Sequence, residues 1–319
     1  MFPPDRSSKA GWLQPLDGSL NAGRHDEKTD GGTLLLVNPN ARSGNEELGE
    51  LLLPLQDLGP VIAAKSLGRE AVRKAIAHHA GSVARIVIGG GDGSLHAALP
   101  AILEAELPLG VLPLGTANDF ARSLGIADIP TAVEVIVSGL ARPVDVGVVN
   151  GTCFLNAVGI GLGPEINRNL DKESKSNLGV LAYLVHGIRN LRRSRGMSAI
   201  IECDGSYHAL RSLQITIGNG IHYGGGMTIA RDARLDDGIL DVLSIPPQGF
   251  LSLLLKGPAI RSGDAGRIDE LQTFRASVVR VQTRKPRDVT ADGEYVTRTP
   301  IECRVLGGRL QVFAPTTTE

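Results

Sequence analysis

Residues 85–96, RIVIGGGDGSLH, decide which fold class this chain belongs to. The β-branched residues predict a strand, the glycines at 89–91 predict a tight turn, and the residues after Asp92 predict the start of a helix. Consecutive glycines let amide N–H groups point into one concavity, where phosphate oxygens bind. The stretch matches neither the Walker A pattern nor the dinucleotide-binding fingerprint, and a structural βα turn with an aspartate cap explains it equally well.

Residues 110–122, GVLPLGTANDFAR, repeat the order of strand, turn and helix. The loops that follow parallel strands lie at one edge of the sheet, and open α/β sheets bind their ligands at that edge. Two such loops therefore predict a nucleotide-phosphate site, with the hydroxyl of Thr116 and the side chains of Asn118 and Asp119 beside it. The alternative is that Asn118 or Asp119 only caps the helix.

Strands and helices alternate from residue 33 to residue 146. Amphipathic stretches separate the apolar runs at 34–37, 61–64, 84–88 and 109–112. This alternation predicts an α/β nucleotide-binding domain with a largely parallel sheet. One helix is expected to place Ala71, Val72, Ala75, Ile76 and His79 on one face, and another is expected to begin at Pro130 and end at Gly139.

The pattern changes in residues 147–319. Asn-Gly, Asp-Gly and Gly-Gly pairs at 150–151, 204–205, 292–293 and 307–308 separate β-rich runs, and such pairs form two-residue hairpin turns. They predict an antiparallel β-sandwich domain, whose final residues could return to the first domain. A helix expected at 178–195 has a basic end, which is either simply solvated or faces anionic lipid.

Composition excludes several classes of protein. Hydrophobic residues make up 42% of the chain, but no run reaches the ~20 apolar residues of a transmembrane helix. A formal net charge of -1 argues against a nucleic-acid partner bound through a basic surface. Cys153, Cys203 and Cys303 fit neither a disulfide framework nor a zinc site, which favours a cytoplasmic location. Residues 1–32 are expected to form a flexible tail.

Six motifs together carry a resemblance to a known family. They are Asn38-Pro39, GGDGS at 90–94, GTANDFAR at 115–122, VDVG at 144–147, DDG at 236–238 and DGE at 292–294. In this order the chain resembles the diacylglycerol kinase catalytic family from about residue 33 to residue 315. The resemblance implies an NAD kinase/diacylglycerol kinase-like α/β domain followed by a β-sandwich, and transfer of the γ-phosphate of ATP to a lipid hydroxyl. An NAD or sugar kinase that shares the first glycine loop, or a catalytically weak nucleotide- or lipid-binding regulator, remains an alternative.

The resemblance also implies roles for individual residues. ATP contacts are implied at Asn38, Pro39, Asn40, Ser66, Gly90, Gly91, Asp92, Gly93, Ser94, Leu95, His96 and Thr116. Asp92, Asp119 and Asp145 would form an acidic network that holds Mg²⁺ directly or through water, as its preference for hard oxygen ligands requires. Asp292 is favoured as the general base, with Glu294 as the other candidate and a plain hairpin turn as the alternative. A structural Mg²⁺ would bind the carboxylate of Asp237 and the main-chain carbonyls of Arg234 and Ile239, unless this stretch is an ordinary Asp-Gly turn.

The chain departs from the family pattern after the first glycine loop. Ser94, Leu95, His96 and Ala97 stand where the family usually has threonine, an apolar residue, asparagine and glutamate. This change puts nucleotide affinity or donor preference in question, unless His96 is a solvent-facing helix residue. The expected partner is a lipid met transiently at a membrane surface by a peripheral protein, and a homodimer remains open.

Overall fold

The computed structural model describes residues 31–38, 52–65, 68–161, 196–228, 233–247 and 271–315. These residues form two compact units. The first contains the described residues up to Pro143 together with those from Leu310, and the second is Val144–Arg309. The division lies close to the boundary expected after residue 146, and the end of the chain belongs to the first unit. The predicted tail, except for Gly31 and Gly32, and the predicted helix at 178–195 lie outside the described residues.

The first unit is built on a parallel sheet. Its strands are β1 (Thr33–Val37), β2 (Val61–Lys65), β3 (Arg85–Gly90) and β4 (Leu109–Pro113), in the order β2-β1-β3-β4. The end of the last strand of the chain, β18 (Ile301–Phe313), joins them where Val312 pairs in parallel with Leu109. The strands are apolar along their length because parallel sheets are usually covered on both faces. All four predicted strands are confirmed.

Among the described residues, four helices and a short 3₁₀ helix at Leu53–Leu58 accompany this sheet. They are α1 (Gly68–His79), α2 (Asp92–Ala105), α3 (Asp119–Ser123) and α4 (Ile129–Ser138). The α1 helix buries Val72, Ala75 and Ile76 of the predicted face, whereas Ala71 is exposed and His79 is half-buried, so the apolar face is narrower than predicted. The α4 helix begins where the Asp128 side chain accepts the Thr131 N–H at 2.9 Å, and it ends at Gly139 with a φ of 71°.

The second unit is antiparallel. Its strands are β5 (Ala141–Val149, entering from the first unit), β6 (Thr152–Phe154), β7 (Ala157–Gly161), β8 (Met197–Cys203), β9 (Ser206–Ser212), β10 (Gln214–Gly218), β11 (His222–Tyr223), β12 (Met227–Thr228), β13 (Leu240–Ile245), β14 (Gln272–Ala276), β15 (Val278–Thr283), β16 (Asp288–Ala291) and β17 (Glu294–Arg298). One sheet has the order β14-β13-β10-β7-β16-β17, and a second runs β18-β15-β8-β9. Val158 and Ile215 of the first of these sheets share one buried cluster with Ile201 and Val279 of the second. Two antiparallel sheets around one core confirm the predicted sandwich.

Three of the four predicted hairpin turns are present. The pairs at 150–151, 204–205 and 292–293 each have positive φ at both residues, as a type I′ turn requires, and join β5 to β6, β8 to β9 and β16 to β17. The fourth prediction, at 307–308, is wrong because both glycines lie inside the 13-residue strand β18. Gly308, with a φ of 60°, donates its N–H to the Asp145 carboxylate. Within the described residues, no helix has the length and apolar character needed to span a membrane.

Candidate active site

The two glycine loops of the first unit touch backbone to backbone. Strands β3 and β4 end at Gly90 and Pro113, which are register partners, and the Leu114 N–H donates to the Gly90 carbonyl at 3.1 Å. Just beyond, a Cβ on Gly91 would lie 3.1 Å from Gly115 Cα. Such a distance is tighter than ordinary side-chain packing, so the close approach depends on glycine in both loops. The loops therefore form one structure at the carboxyl edge of the sheet, as the sequence predicts.

Asp92 connects these loops through its carboxylate. Its Oδ2 atom accepts the N–H of Asp119 and its Oδ1 atom accepts the N–H of Phe120, both at 3.0 Å. Asp92 begins α2 and at the same time satisfies N–H groups at the start of α3, which have no partner inside the helix. The Asp119 side chain beside it is 4% exposed. The Asp92 carboxylate, which was predicted to organise Mg²⁺, therefore also connects the two glycine loops.

Asn118 shapes the second loop. It has a φ of 52°, and its side-chain oxygen accepts the Gly115 N–H at 2.9 Å. Its Nδ2 atom donates to the carbonyls of Pro113 at 3.2 Å and Gly115 at 3.0 Å. Since this side chain makes no cap hydrogen bond and Asp92 supplies acceptors for α3, the alternative that Asn118 only caps the helix is wrong.

The start of α2 is the open part of the site. Gly93 is exposed, and a Cβ built on it meets no atom within 4 Å. The N-terminal end of this 14-residue helix carries the partial positive charge that favours phosphate. Nearby, the Ser94 hydroxyl accepts a hydrogen bond from the Asn38 amide at 3.3 Å, and Thr116 is exposed. Among the remaining residues with predicted ATP contacts, Pro39, Asn40 and Ser66 lie outside the described residues.

Leu95 and His96 lie in the core of the first unit, each 2% exposed. The expectation of a solvent-facing His96 is therefore wrong, because this position falls on the face of α2 that also buries Leu99 and Ala98. The predicted ATP contacts at these two positions stay a prediction. The departure of His96 from the family pattern lies at a buried position of α2.

Asp145 holds three segments of the second unit together. It is 3% exposed, and its Oδ1 and Oδ2 atoms accept the N–H groups of Gly308 at 2.8 Å and Gly238 at 2.7 Å. Its own N–H donates to the Leu235 carbonyl at 2.6 Å. Gly308 of β18 and the loop at 235–238 thus both bond to Asp145, and the N–H of Gly308 is used in this contact instead of in a hairpin turn.

The two candidate bases on the β16–β17 hairpin differ in their surroundings. The Asp292 carboxylate accepts N–H groups from Leu155 at 2.9 Å, Asn156 at 2.8 Å and Ala157 at 3.2 Å, so both of its oxygens are engaged. Glu294 is exposed at the first position of β17. Asp292 therefore organises the 155–157 loop, whereas the carboxylate of Glu294 lies open to solvent.

The carboxylate predicted to bind a structural Mg²⁺ has a protein cation beside it. The Asp237 Oδ2 atom pairs with the Arg275 guanidinium at 2.6 Å, and its Oδ1 atom accepts the Ile239 N–H at 3.1 Å. Arg275 also pairs with Asp241, its cross-strand neighbour, at 3.1 Å. Arg234 pairs through its side chain with Asp236. The Arg275 guanidinium would repel a divalent cation at Asp237, and the structural Mg²⁺ site stays a prediction.

No three His, Cys, Asp or Glu side chains converge on one point within the part of the chain that the structure describes. Kinase Mg²⁺ sites use one or two carboxylates completed by water and substrate phosphates. The donor set of Asp92, Asp119 and Asp145 has the hard oxygen chemistry that Mg²⁺ takes, and its role as a network stays a prediction. Asn219, buried beside Asp145, was not predicted, because an Asn-Gly pair in a sequence resembles one more turn.

Taken together, the fold and these loops define a protein of two compact units, the first of which carries two adjoining glycine loops at the carboxyl edge of a parallel sheet. Comparison with known proteins identifies the family. Residues 32–149 match the diacylglycerol kinase catalytic domain, and residues 156–314 match the YegS C-terminal NAD kinase beta sandwich-like domain. The chain belongs to this family of bacterial lipid kinases.

Individual relatives agree along most of the chain. A Pseudomonas aeruginosa protein named "Probable lipid kinase YegS-like" is 32% identical over 287 residues, which are 88% of this chain and 94% of that protein. The diacylglycerol kinase of Bacillus subtilis is 31% identical over 236 residues, 72% of this chain and 77% of that protein. The crystal structure of a diacylglycerol kinase from Bacillus anthracis superposes with a TM-score of 0.76 at 26% identity, covering 92% of this chain and 100% of that structure.

Proposed function

We propose that this protein is an ATP-dependent lipid kinase that transfers the γ-phosphate of ATP to the hydroxyl of diacylglycerol or a related lipid. The observation that carries the proposal is the contact of the two glycine loops, locked by Asp92 beside the open start of α2. Backbone N–H groups at a helix start favour phosphate, and the family to which the chain belongs uses this domain as a kinase.

Phosphoryl transfer asks a protein mainly to position the phosphates and to offset the charge that develops on them. We assign the ATP phosphates to the backbone N–H groups at the start of α2, around Gly93. Mg²⁺, when bound, neutralises charge on the transferring phosphoryl group, and Asp92, Asp119 and Asp145 would hold it directly or through water. The carboxylates of Asp92 and Asp145 also accept backbone N–H groups, so these two are positioned before any ligand arrives.

We propose Glu294 rather than Asp292 as the general base. A base must take a proton, and both oxygens of Asp292 already accept backbone N–H groups, whereas Glu294 is exposed. In the proposed step the Glu294 carboxylate takes the proton of the lipid hydroxyl. The lipid oxygen then bonds to the γ-phosphorus as the bond from that phosphorus to the bridging oxygen breaks, which releases ADP.

The lipid must be met at a membrane surface, and we propose a transient, peripheral encounter of a cytoplasmic enzyme. The basic helix expected at 178–195 lies outside the described residues, so this part of the proposal rests on the chemistry of the substrate. The burial of His96 also bears on the weak-regulator alternative. Since this side chain packs in the core, its departure from the family pattern does not by itself argue against ATP use.

A single assay tests the function. The protein is incubated with γ-³²P-labelled ATP and Mg²⁺, in parallel with a mixed lipid extract, with NAD and with sugars. We expect transfer of the label to lipid and to neither NAD nor sugar. Label in NAD or in a sugar would support the runner-up kinases, and retention of all label in ATP would support a regulator.

Two variants test whether the candidate site carries out the transfer. Asp119→Ala is expected to abolish transfer, because it removes a buried carboxylate of the proposed magnesium network. Asp128→Ala is the matched control: it removes an exposed carboxylate that caps α4 in the same unit and should cost only about 0.5–2 kcal/mol of stability. Equal transfer by the two variants would refute the assignment of the site.

A further inference from the structure

Asn219 is a buried amide that joins the segments carrying Asp145 and Asp292. It is 1% exposed. Its Nδ2 atom donates to the main-chain carbonyls of Asp145 at 2.9 Å and Leu155 at 3.1 Å. Its own backbone N–H donates to the Asn156 carbonyl at 2.8 Å. Asn219 thus bonds to the main chain of Asp145, a proposed magnesium-binding residue, and to the loop that begins at residue 155.

That loop binds the carboxylate of Asp292, which lies on the same hairpin as the proposed base Glu294. The N–H groups of residues 155–157 all donate to Asp292, at distances of 2.8 to 3.2 Å. The connection therefore runs from Asp145 through the Asn219 amide and the 155–157 loop to the hairpin that carries Asp292 and Glu294. Every link in it is a hydrogen bond within the second unit.

The orientation of the Asn219 amide is fixed by its partners. Both atoms that face Nδ2 are carbonyl oxygens, which cannot donate, so a flipped amide would set three oxygens against one another. In the observed orientation the Oδ1 atom is buried and has no hydrogen-bond partner among the described residues. Buried acceptors are nearly always satisfied, because leaving one empty destabilises the fold.

If residue 219 served only stability, we would expect a side chain that leaves no buried acceptor without a partner. Local violations of good packing and hydrogen bonding concentrate at functional sites, where geometry is maintained at the expense of stability. At position 219 the feature maintained is the donor pair of Nδ2, which no apolar side chain of similar volume supplies.

We propose that Asn219 is a positioning residue of the kinase, which fixes Asp145 and the hairpin of Asp292 and Glu294 relative to one another. The inference rests on the lipid kinase function proposed above. Asn219 acts through its neighbours' main chain and is buried, so it governs the rate of phosphoryl transfer and the use of Mg²⁺ more than the binding of lipid.

The test compares Asn219→Ala with Ser212→Ala. Ser212 is also a fully buried polar residue of the second unit, and its hydroxyl bonds to Gln214, Ile245 and Ser244 away from the proposed chemistry. Both variants remove buried hydrogen bonds, so both should lower the unfolding temperature. Each purified full-length protein is assayed with a lipid that the wild type phosphorylates, over a range of Mg²⁺ concentrations.

For Asn219→Ala we expect kcat to fall by about 10²-fold, the scale of a displacement near 1 Å in a catalytic group. The half-saturating Mg²⁺ concentration should rise severalfold, while the KM for lipid stays near the wild-type value. Ser212→Ala should keep the wild-type Mg²⁺ dependence and most of the kcat. This contrast separates positioning from general destabilisation.

Other results decide against the proposal in distinguishable ways. A wild-type protein that phosphorylates no lipid contradicts the proposed function itself. An active wild type with equal kcat and equal Mg²⁺ dependence in the two variants overturns the role of Asn219 alone. If Asn219→Ala does not fold, the near-isosteric Asn219→Asp is measured in the same way, and if that variant also fails to fold, Asn219 is a stability determinant and the proposal is wrong.

Discussion

Gly115→Ala and Gly93→Ala add the same methyl group, one in the second glycine loop and one at the start of α2. We expect them to change the free energy of unfolding in opposite directions. A Cβ on Gly115 would lie 2.7 Å from Asn118 Oδ1 and 3.0 Å from Gly91 N, so the two loops must separate. Overpacking of this kind costs about 1–3 kcal/mol. A Cβ on Gly93 meets nothing within 4 Å, and replacing a helical glycine should stabilise the fold by about 0.4–1 kcal/mol.

Thermal unfolding and ATP binding measured on both variants test this reasoning. At roughly 2–4 °C per kcal/mol, Gly115→Ala should unfold several degrees below the wild type and Gly93→Ala slightly above it. Both should bind ATP more weakly, Gly115→Ala because the loops separate and Gly93→Ala because a methyl group enters the space assigned to phosphate. Wild-type ATP affinity in a fully folded Gly93→Ala would refute the placement of the phosphates at the start of α2.

Three further results follow from the same contacts. Asp92→Ala should abolish kinase activity and also lower the unfolding temperature, because two N–H groups of α3 lose their acceptor; activity loss with an unchanged unfolding temperature would contradict the capping role. Glu294→Gln should lower kcat by roughly 10²-fold and leave the unfolding temperature unchanged, whereas Asp292→Asn should mainly lower the unfolding temperature. If kinetic and unfolding measurements on both variants give the reverse pattern, Asp292 is the base. The rise in unfolding temperature that Mg²⁺ produces over a chelator should be larger for Arg275→Gln, which leaves Asp237 without its guanidinium, than for the wild type; an equal rise in both proteins would contradict the role of Arg275 at this site.

The parts of the fold that could be predicted from the sequence depend on neighbouring residues. The helix from Ile129 to Ser138 follows from a proline near its start and a glycine at its end, both within one stretch. The turns at 150–151, 204–205 and 292–293 need only the ability of asparagine, aspartate and glycine to adopt positive φ. Such signals are complete in a few residues, so no tertiary contact is needed to interpret them.

The parts that could not be predicted depend on partners far away in the sequence. The glycines at 307–308 look like a turn, but the N–H of Gly308 bonds to a carboxylate 163 residues earlier, and the strand continues. His96 is polar, yet its place on α2 faces the core. The pairing of Asp237 with Arg275 joins residues 38 positions apart. In each case the residue type suggested a local role, and a distant neighbour determines the actual one.

Three carboxylates of the candidate site share one property that changes how their mutants must be interpreted. Asp92, Asp145 and Asp292 each accept two or three backbone N–H groups from segments remote in the sequence. An alanine at any of them removes a negative charge and also breaks a connection of the fold, and asparagine places an N–H₂ group against an N–H donor. Loss of activity therefore does not by itself assign a magnesium ligand. A lost charge should be offset in part by raising Mg²⁺, whereas a broken connection should lower activity at every Mg²⁺ concentration together with the unfolding temperature, so the Mg²⁺ titration separates the two roles at each position.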